Sequence, residues 1–264
     1  MLFHQIKPGN AFGKDIYYRF LKKHRFNWRK LLLLSAVMLI AKIDPLHRRG
    51  EQRLLIIDDT VEPKRGKQIE GGCRYLWSNK EHRLISSLNN VSLNYADSHS
   101  TFQLDFALRL NTSRHKKLAD FSQSLHHRSN AFKRCKEGLR DKNLLALEIL
   151  EHALYAGIVA DYLLIDSWYA KPDFIHQANA MSLPVIARIA NTNRLWHFKS
   201  KYKSLQALYI IIKTTTVNIT VPIERFTTVI AEHQLLGRVK LLFLHTGKEL
   251  IIFISADHRF QAKR

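Results

Sequence analysis

The stretch Leu54-Leu55-Ile56-Ile57-Asp58-Asp59-Thr60 runs four aliphatic residues directly into two adjacent carboxylates. A short apolar run bounded by polar residues reads as a buried strand. Carboxylates at the exit of such a strand stand where a core ends and a cleft begins. Two neighbouring acids repel, so at least one needs a counter-charge. Lys64, Arg65 and Lys67 follow at once, and a divalent cation would serve the same end.

A second stretch, Tyr162-Leu163-Leu164-Ile165-Asp166-Ser167-Trp168-Tyr169, is again an aliphatic run ending in an aspartate. If the two strands are neighbours in one sheet, Asp58 or Asp59 lies beside Asp166. Oxygen-only carboxylate sets suit hard cations such as Mg²⁺ or Mn²⁺. Such ions drive phosphoryl transfer by activating one oxygen and stabilising the leaving one. The plainer alternative is that each aspartate caps the helix that follows it. Strand alternation points Asp58 and Asp59 to opposite faces, so only one of them should face the site. Both stay candidates, with a slight preference for Asp58.

The chain has 264 residues, of which 46% are hydrophobic, enough for one large domain or two modest ones with a sizeable core. Its formal charge of +20 suggests a polyanionic partner, most simply nucleic acid. Charge names a partner class and not a function, because basic chains bind DNA non-specifically. The two cysteines, Cys73 and Cys135, form no Cys-x-x-Cys pair. That fits a reducing compartment and argues against a disulfide scaffold. The spacing of His126, His127 and Cys135 matches no zinc pattern. The first thirty residues are polar and charged, so no secretory signal is expected there. The most apolar run, Leu31 to Ile43, is shorter than the about 20 residues a membrane span needs, so it reads as a buried core helix.

Residues 1–50 read as helical and basic, with helices over Asp15–His24 and Trp28–Ile43 and Asn27 capping the second. They form either a DNA-contacting arm or a helical subdomain with a solvated basic face. Glu62 to Gly72 is a polar, glycine-containing loop. Leu84–Tyr95 and Phe102–Leu110 alternate apolar with polar residues and predict antiparallel neighbours. Residues 111–142 are highly basic and include Lys116, Lys117, Arg128, Lys133 and Arg134, in a DNA-facing loop and helix or a linker. An amphipathic helix over Lys142–Ile158 precedes the second acidic strand. A helix over Lys171–Ala180 and a strand over Pro184–Ile189 follow it, an alternation that suggests a sheet with helices packed on it. Arg194, Trp196, His197, Lys199, Lys201 and Tyr202 interleave basic with aromatic groups. Such a mix stacks on bases and pairs with phosphates, or is an ordinary hairpin surface. From 207 on, the runs 208–212, 214–221, 239–245 and 250–255 all read as strands, with a turn at His245–Lys248.

The run Ile56-Ile57-Asp58-Asp59-Thr60-Val61-Glu62-Pro63-Lys64-Arg65-Gly66 resembles the first catalytic motif of bacterial insertion-sequence transposases of the DDE type. Leu164-Ile165-Asp166-Ser167-Trp168-Tyr169 is similar to their second motif. The stretch from about 207 to 255, ending Phe253-Ile254-Ser255-Ala256-Asp257, is similar to the strand insertion before their third. The resemblance spans roughly 50–257. It implies an α/β fold: a ribonuclease-H-like mixed sheet with flanking helices, a helical segment over 1–50, a catalytic core over 51–190 and a β-rich insertion over 191–264.

The resemblance also implies metal-dependent hydrolysis at the element ends and strand transfer into target DNA. Asp58 or Asp59, with Asp166 and the family's glutamate, would hold two Mg²⁺ or Mn²⁺ ions, a site expected to be incomplete in this chain. Lys64, Lys67, Lys116, Lys117, Arg128, Lys133, Arg134, Arg194 and Lys199 are the expected DNA-binding side chains. The expected partners are double-stranded DNA and a second copy of the chain, with no membrane, in the bacterial cytoplasm at the nucleoid. The family's third carboxylate is a glutamate on a helix after the strand insertion. Nothing after Asp257 matches its motif, and Glu224, Glu232 and Glu249 lie within the insertion. The expectation is therefore a chain truncated before that glutamate and impaired in strand transfer. The alternative is a non-catalytic DNA-binding product that occupies element ends or inhibits a full-length enzyme.

Overall fold

The computed structural model describes residues 14–21, 26–66, 69, 72–78, 80–110, 125–190, 195–215, 225–246 and 249–257. Helices α1 (Lys14–Leu21) and α2 (Trp28–Ile43) come first, followed by strands β1 (Leu54–Pro63), β2 (Cys73–Ser78), β3 (Arg83–Ala96) and β4 (Thr101–Arg109). Helices α3 (Asn130–Gly138) and α4 (Lys142–Tyr155) lead into β5 (Tyr162–Ile165), α5 (Pro172–Ala180) and β6 (Val185–Ile189). The hairpin β7 (Leu195–Phe198) and β8 (Lys201–Ser204), helix α6 (Leu205–Thr215), and strands β9 (Arg225–His233), β10 (Gly237–His245) and β11 (Leu250–Ser255) complete the described chain.

The strands form one mixed sheet in the order β2-β3-β1-β5-β6-β11-β10-β9-β7-β8, with β4 also on β3. β1 is the pivot. It pairs antiparallel with β3 along its whole length, from Leu54↔Ala96 to Pro63↔Ser87. On its other side it pairs parallel with β5, from Leu54↔Tyr162 to Ile57↔Ile165. β5 continues parallel to β6. Antiparallel strands on one side of β1 and parallel ones on the other, with α4 and α5 as crossovers, give the ribonuclease-H-like mixed sheet.

Leu55 and Ile57 are buried because β1 is covered on that face. The cover is α4, whose Leu145, Ile149, Leu150 and Ala153 recur at helical spacing and are fully buried in the cluster that holds Leu55, Val91, Leu93 and Leu104. Helix α2 lies on the same layer against β4. There buried Arg29 makes a two-pronged pair with Asp105, both contacts 2.5 Å, and reaches Glu137 of α3 at 2.5 Å.

Several expectations are corrected. Residues 208–212 belong to helix α6 and not to a strand. Ser204 Oγ accepts from the Ala207 N–H, while Leu205 and Leu208 are buried and Tyr209 and Ile212 pack on the core, so capping and helical spacing overrode the β-branched run. The run 214–221 opens inside α6 as well, with Thr214 and Thr215 helical, and its remainder lies outside the described residues. Helix α2 has the expected ends, with Asn27 accepting from the Lys30 N–H, but it is not a buried core helix. Leu31, Leu34, Met38 and Leu39 are exposed, because the sheet covers only one side of it. Strands β2 and β9 add to the expected set; β2 begins directly after the polar stretch that ends at Gly72. The boundary drawn at 190 falls between β6 and β7, and the sheet runs across it through the antiparallel β6–β11 pairing. No described helix is long and apolar enough to cross a membrane.

Candidate active site

The last registered pair of β1 and β5 is Ile57↔Ile165, so Asp58 and Asp166 are the next residues along two adjacent parallel strands. The pleat turns Asp58 to the side opposite Ile57, and Asp166, the first residue past β5, lies near enough for its charge to bear on Asp58. Asp59 points the other way, with Leu55 and Ile57, toward α4. There it accepts from Lys142 Nζ, and Asn89 Nδ2 lies 3.4 Å from its second oxygen. The two neighbouring acids thus divide: Asp59 holds an ion pair inside the protein, and Asp58 stands with Asp166.

Both members of the acid pair are oriented by backbone. Asp58 Oδ1 accepts from the Asp59 N–H at 2.8 Å, and Ser92 Oγ bonds the Asp58 carbonyl at 3.3 Å. Asp166 Oδ1 accepts from the N–H groups of Trp168 at 2.9 Å and Tyr169 at 3.3 Å. This is an Asx-type turn. Asp166 therefore caps a turn and not a helix; α5 begins six residues later, with Lys171 in its cap position. Partial burial raises the Asp58 carboxyl above the ordinary aspartate range, and the nearby charges of Asp59 and Asp166 add to the rise. The Asp59 N–H and Lys142 oppose it without cancelling it. A raised carboxyl beside a second carboxylate is a place where positive charge is favoured.

Lys142 is the feature that sequence reading missed. It is only 4% exposed and is the first residue of α4, whose cap Asp141 accepts from the Asn143 N–H. Its ammonium sits 3.9 Å from the Trp168 ring centre and 4.8 Å from that of Tyr169. The counter-charge for the acids thus arrives from a helix 83 positions away, whereas Lys64 Nζ lies 3.4 Å from Glu62. No sequence signal separates Lys142 from the other lysines of its basic stretch. Tyr169 is fully buried, and its hydroxyl lies by Asp59. Burial, with the charges of Asp59, Asp166 and Asp58, holds that hydroxyl firmly protonated.

The donor set fits a hard divalent cation at Asp58 and Asp166: carboxylate oxygens only, with the Asp59, Trp168 and Tyr169 N–H groups engaging one oxygen of each acid. Among the described residues no group of three or more His, Cys, Asp or Glu is gathered as a metal cluster.

The expected DNA-binding side chains are dispersed. Lys67, Lys116, Lys117 and Arg194 lie outside the described residues. Arg128 and Lys133 are exposed near and on α3, which packs against β4. Arg134 is half-buried and pairs with Glu137 at 2.5 Å. Lys199 is exposed in the two-residue turn of the β7–β8 hairpin, where Lys199 and Ser200 both have left-handed backbone (φ 46° and 62°), as a type I′ turn requires. β4 and that hairpin lie at opposite ends of the sheet, so these cations do not cluster on one element.

A family model described as DDE superfamily endonuclease matches residues 7–206, which include both acidic motifs and Lys142. No curated protein matches the chain.

Proposed function

The chain belongs to the DDE superfamily endonucleases, and from that membership we propose that it is the DNA transposase of a bacterial insertion sequence. It cuts phosphodiester bonds at the element ends and joins the freed ends to target DNA, using Mg²⁺ or Mn²⁺ held by Asp58 and Asp166. The observation that carries this reading is that Asp58 and Asp166 follow the paired stretch of two adjacent parallel strands, near enough for their charges to interact, with Asp59 paired to Lys142.

A divalent cation supplies activation of the attacking oxygen and charge neutralisation at the scissile phosphate. The chain's own residues do the rest. Asp58 and Asp166 offer anionic oxygens, each oriented by backbone N–H groups. Lys142 pairs with Asp59, which the pleat turns to the face opposite Asp58. Exposed cations such as Arg128, Lys133 and Lys199, with the overall charge of +20, bind the DNA backbone independently of its sequence. Two copies would hold paired ends.

The test is a nicking and strand-transfer assay on labelled DNA carrying the element's own ends, with Mg²⁺ or Mn²⁺. Metal-dependent cleavage that disappears in Asp166→Asn is the expected result. Cleavage unchanged in that variant would overturn the assignment. A second reading, a DNA-binding product that occupies element ends without cutting them, is favoured by one observation: among the described residues no third acid joins the pair. Its signature is end binding with no cleavage in either metal.

A further inference from the structure

We propose that Lys142 is a positioning residue for the acid pair, fastening the turn that carries Asp166 to the strand that carries Asp58. The inference rests on the metal-holding role of Asp58 and Asp166 proposed above.

Three pieces of chain that are remote in sequence meet at one buried ammonium. Asp59 belongs to β1, Lys142 opens α4, and Trp168 and Tyr169 belong to the turn after β5. The ammonium gives a hydrogen bond to Asp59 and lies against the faces of both rings, 3.9 Å and 4.8 Å from their centres. A cation over an aromatic face is attracted by the ring's quadrupole, and the more so where water is excluded. The same turn is bound to Asp166 by the Trp168 and Tyr169 N–H groups. The contact chain Asp59–Lys142–Trp168–Asp166 therefore runs from one acidic motif to the other, through the buried ammonium and a partly exposed ring. Trp168 is also faced by Lys171, 4.6 Å from its ring centre, on the turn's own side. Lys142 is the cation that ties this ring to another element.

Positioning and charge balance make opposite forecasts. If Lys142 only offsets negative charge, removing it should tighten divalent-cation binding, because one positive charge leaves the neighbourhood. If it positions the Asp166 turn, removing it should weaken binding despite that gain.

The experiment is Mn²⁺ binding to the full chain by electron paramagnetic resonance, with the Trp168 contribution to fluorescence, taken by difference from Trp168→Phe, read on metal-free protein. Lys142→Met keeps the length and loses the charge, and Lys142→Arg keeps the charge. Positioning expects Mn²⁺ affinity to fall about tenfold or more in Lys142→Met, to stay within about threefold in Lys142→Arg, and Trp168 emission to shift in Lys142→Met alone. Trp168→Ala, a change at a partly exposed side chain, should weaken Mn²⁺ by several-fold with the Asp59 pair intact, and this holds the test open if Lys142→Met does not fold. The double variant Asp59→Asn with Lys142→Met should not restore affinity. Tighter or unchanged Mn²⁺ binding in Lys142→Met overturns the proposal, as does restoration in the double variant. Mn²⁺ binding that ignores Asp58→Asn and Asp166→Asn overturns the site itself. If those two variants abolish binding and Lys142→Met does not weaken it, the positioning role alone fails.

Discussion

Arg29→Met tests how the N-terminal helix is attached to the sheet. Arg29 is 7% exposed and its guanidinium bonds both oxygens of Asp105, itself 3% exposed, and one oxygen of Glu137. Methionine fills much of the same volume but leaves Asp105 buried and without its cation. Removing one partner of a buried ion pair costs about 3–5 kcal/mol, because the surviving charge is uncompensated. Among the described residues Asp105 keeps a hydrogen bond from the Phe106 N–H, whereas Glu137 retains the cation Arg134 at 2.5 Å, so the cost falls mainly on Asp105. The expected loss is therefore about 3–5 kcal/mol. For a chain of this size that corresponds to a melting temperature lower by roughly 6–20 °C. The assay is urea unfolding followed by circular dichroism, with Arg29→Met/Asp105→Asn beside the single variant. The double variant should regain most of the loss, since a neutral amide replaces the stranded charge. A single-variant loss under about 1 kcal/mol, or a double variant no more stable than the single, would refute the reasoning.

The two neighbouring aspartates should part company in stability. Asp59→Asn strands the buried Lys142 ammonium and should cost about 3–5 kcal/mol, while Asp58→Asn relieves repulsion at a partly exposed site and should stay within about 1 kcal/mol of the parent in urea unfolding. Gly138→Ala should cost about 1–3 kcal/mol by the same measurement, because a Cβ there would strike the Leu108 carbonyl and come within 2.7 Å of Leu110 Cγ, at a point where Gly138 already accepts from the Leu110 N–H. Acid unfolding should report on Asp97. Burial would raise its carboxyl, but the His99 and Ser100 N–H groups and the His47 ring outweigh that and hold it below the ordinary aspartate range. A depressed folded value means stability that is fully present above the unfolded aspartate range and is lost as pH falls through the folded value. In Asp97→Asn that part of the acid-unfolding curve should flatten; an unchanged slope would remove Asp97 from the account.

Much of the molecule was legible in the amino-acid order. The apolar runs before Asp58 and Asp166 are strands because consecutive aliphatic side chains, four in the first and three after Tyr162 in the second, need cover, and a buried strand provides it. Period-two alternation located β3 and β4, and Asn27 marked the start of α2. Where local signals conflicted, tertiary contacts decided. Ile210, Ile211 and Ile212 favour a strand by propensity, yet α6 forms because Leu205 and Leu208 bury the face that the core accepts. The apolar length of α2 forecast full burial, yet a helix lying on the edge of a sheet can bury only one side.

The sequence by itself determined that two acidic strand ends exist, that the chain is basic enough to seek a polyanion, and that strands and helices alternate around the second acid. These follow from side-chain chemistry at short range, which composition and period carry. Only the tertiary structure decided which aspartate of the pair keeps company with Asp166. The pleat turns Asp59 toward α4, and the parallel register of β1 and β5 brings Asp58 to Asp166. Only the fold, too, selected Lys142 from a run of similar lysines. Burial against Trp168 and Tyr169 depends on which elements meet, and no spacing along the chain encodes that meeting.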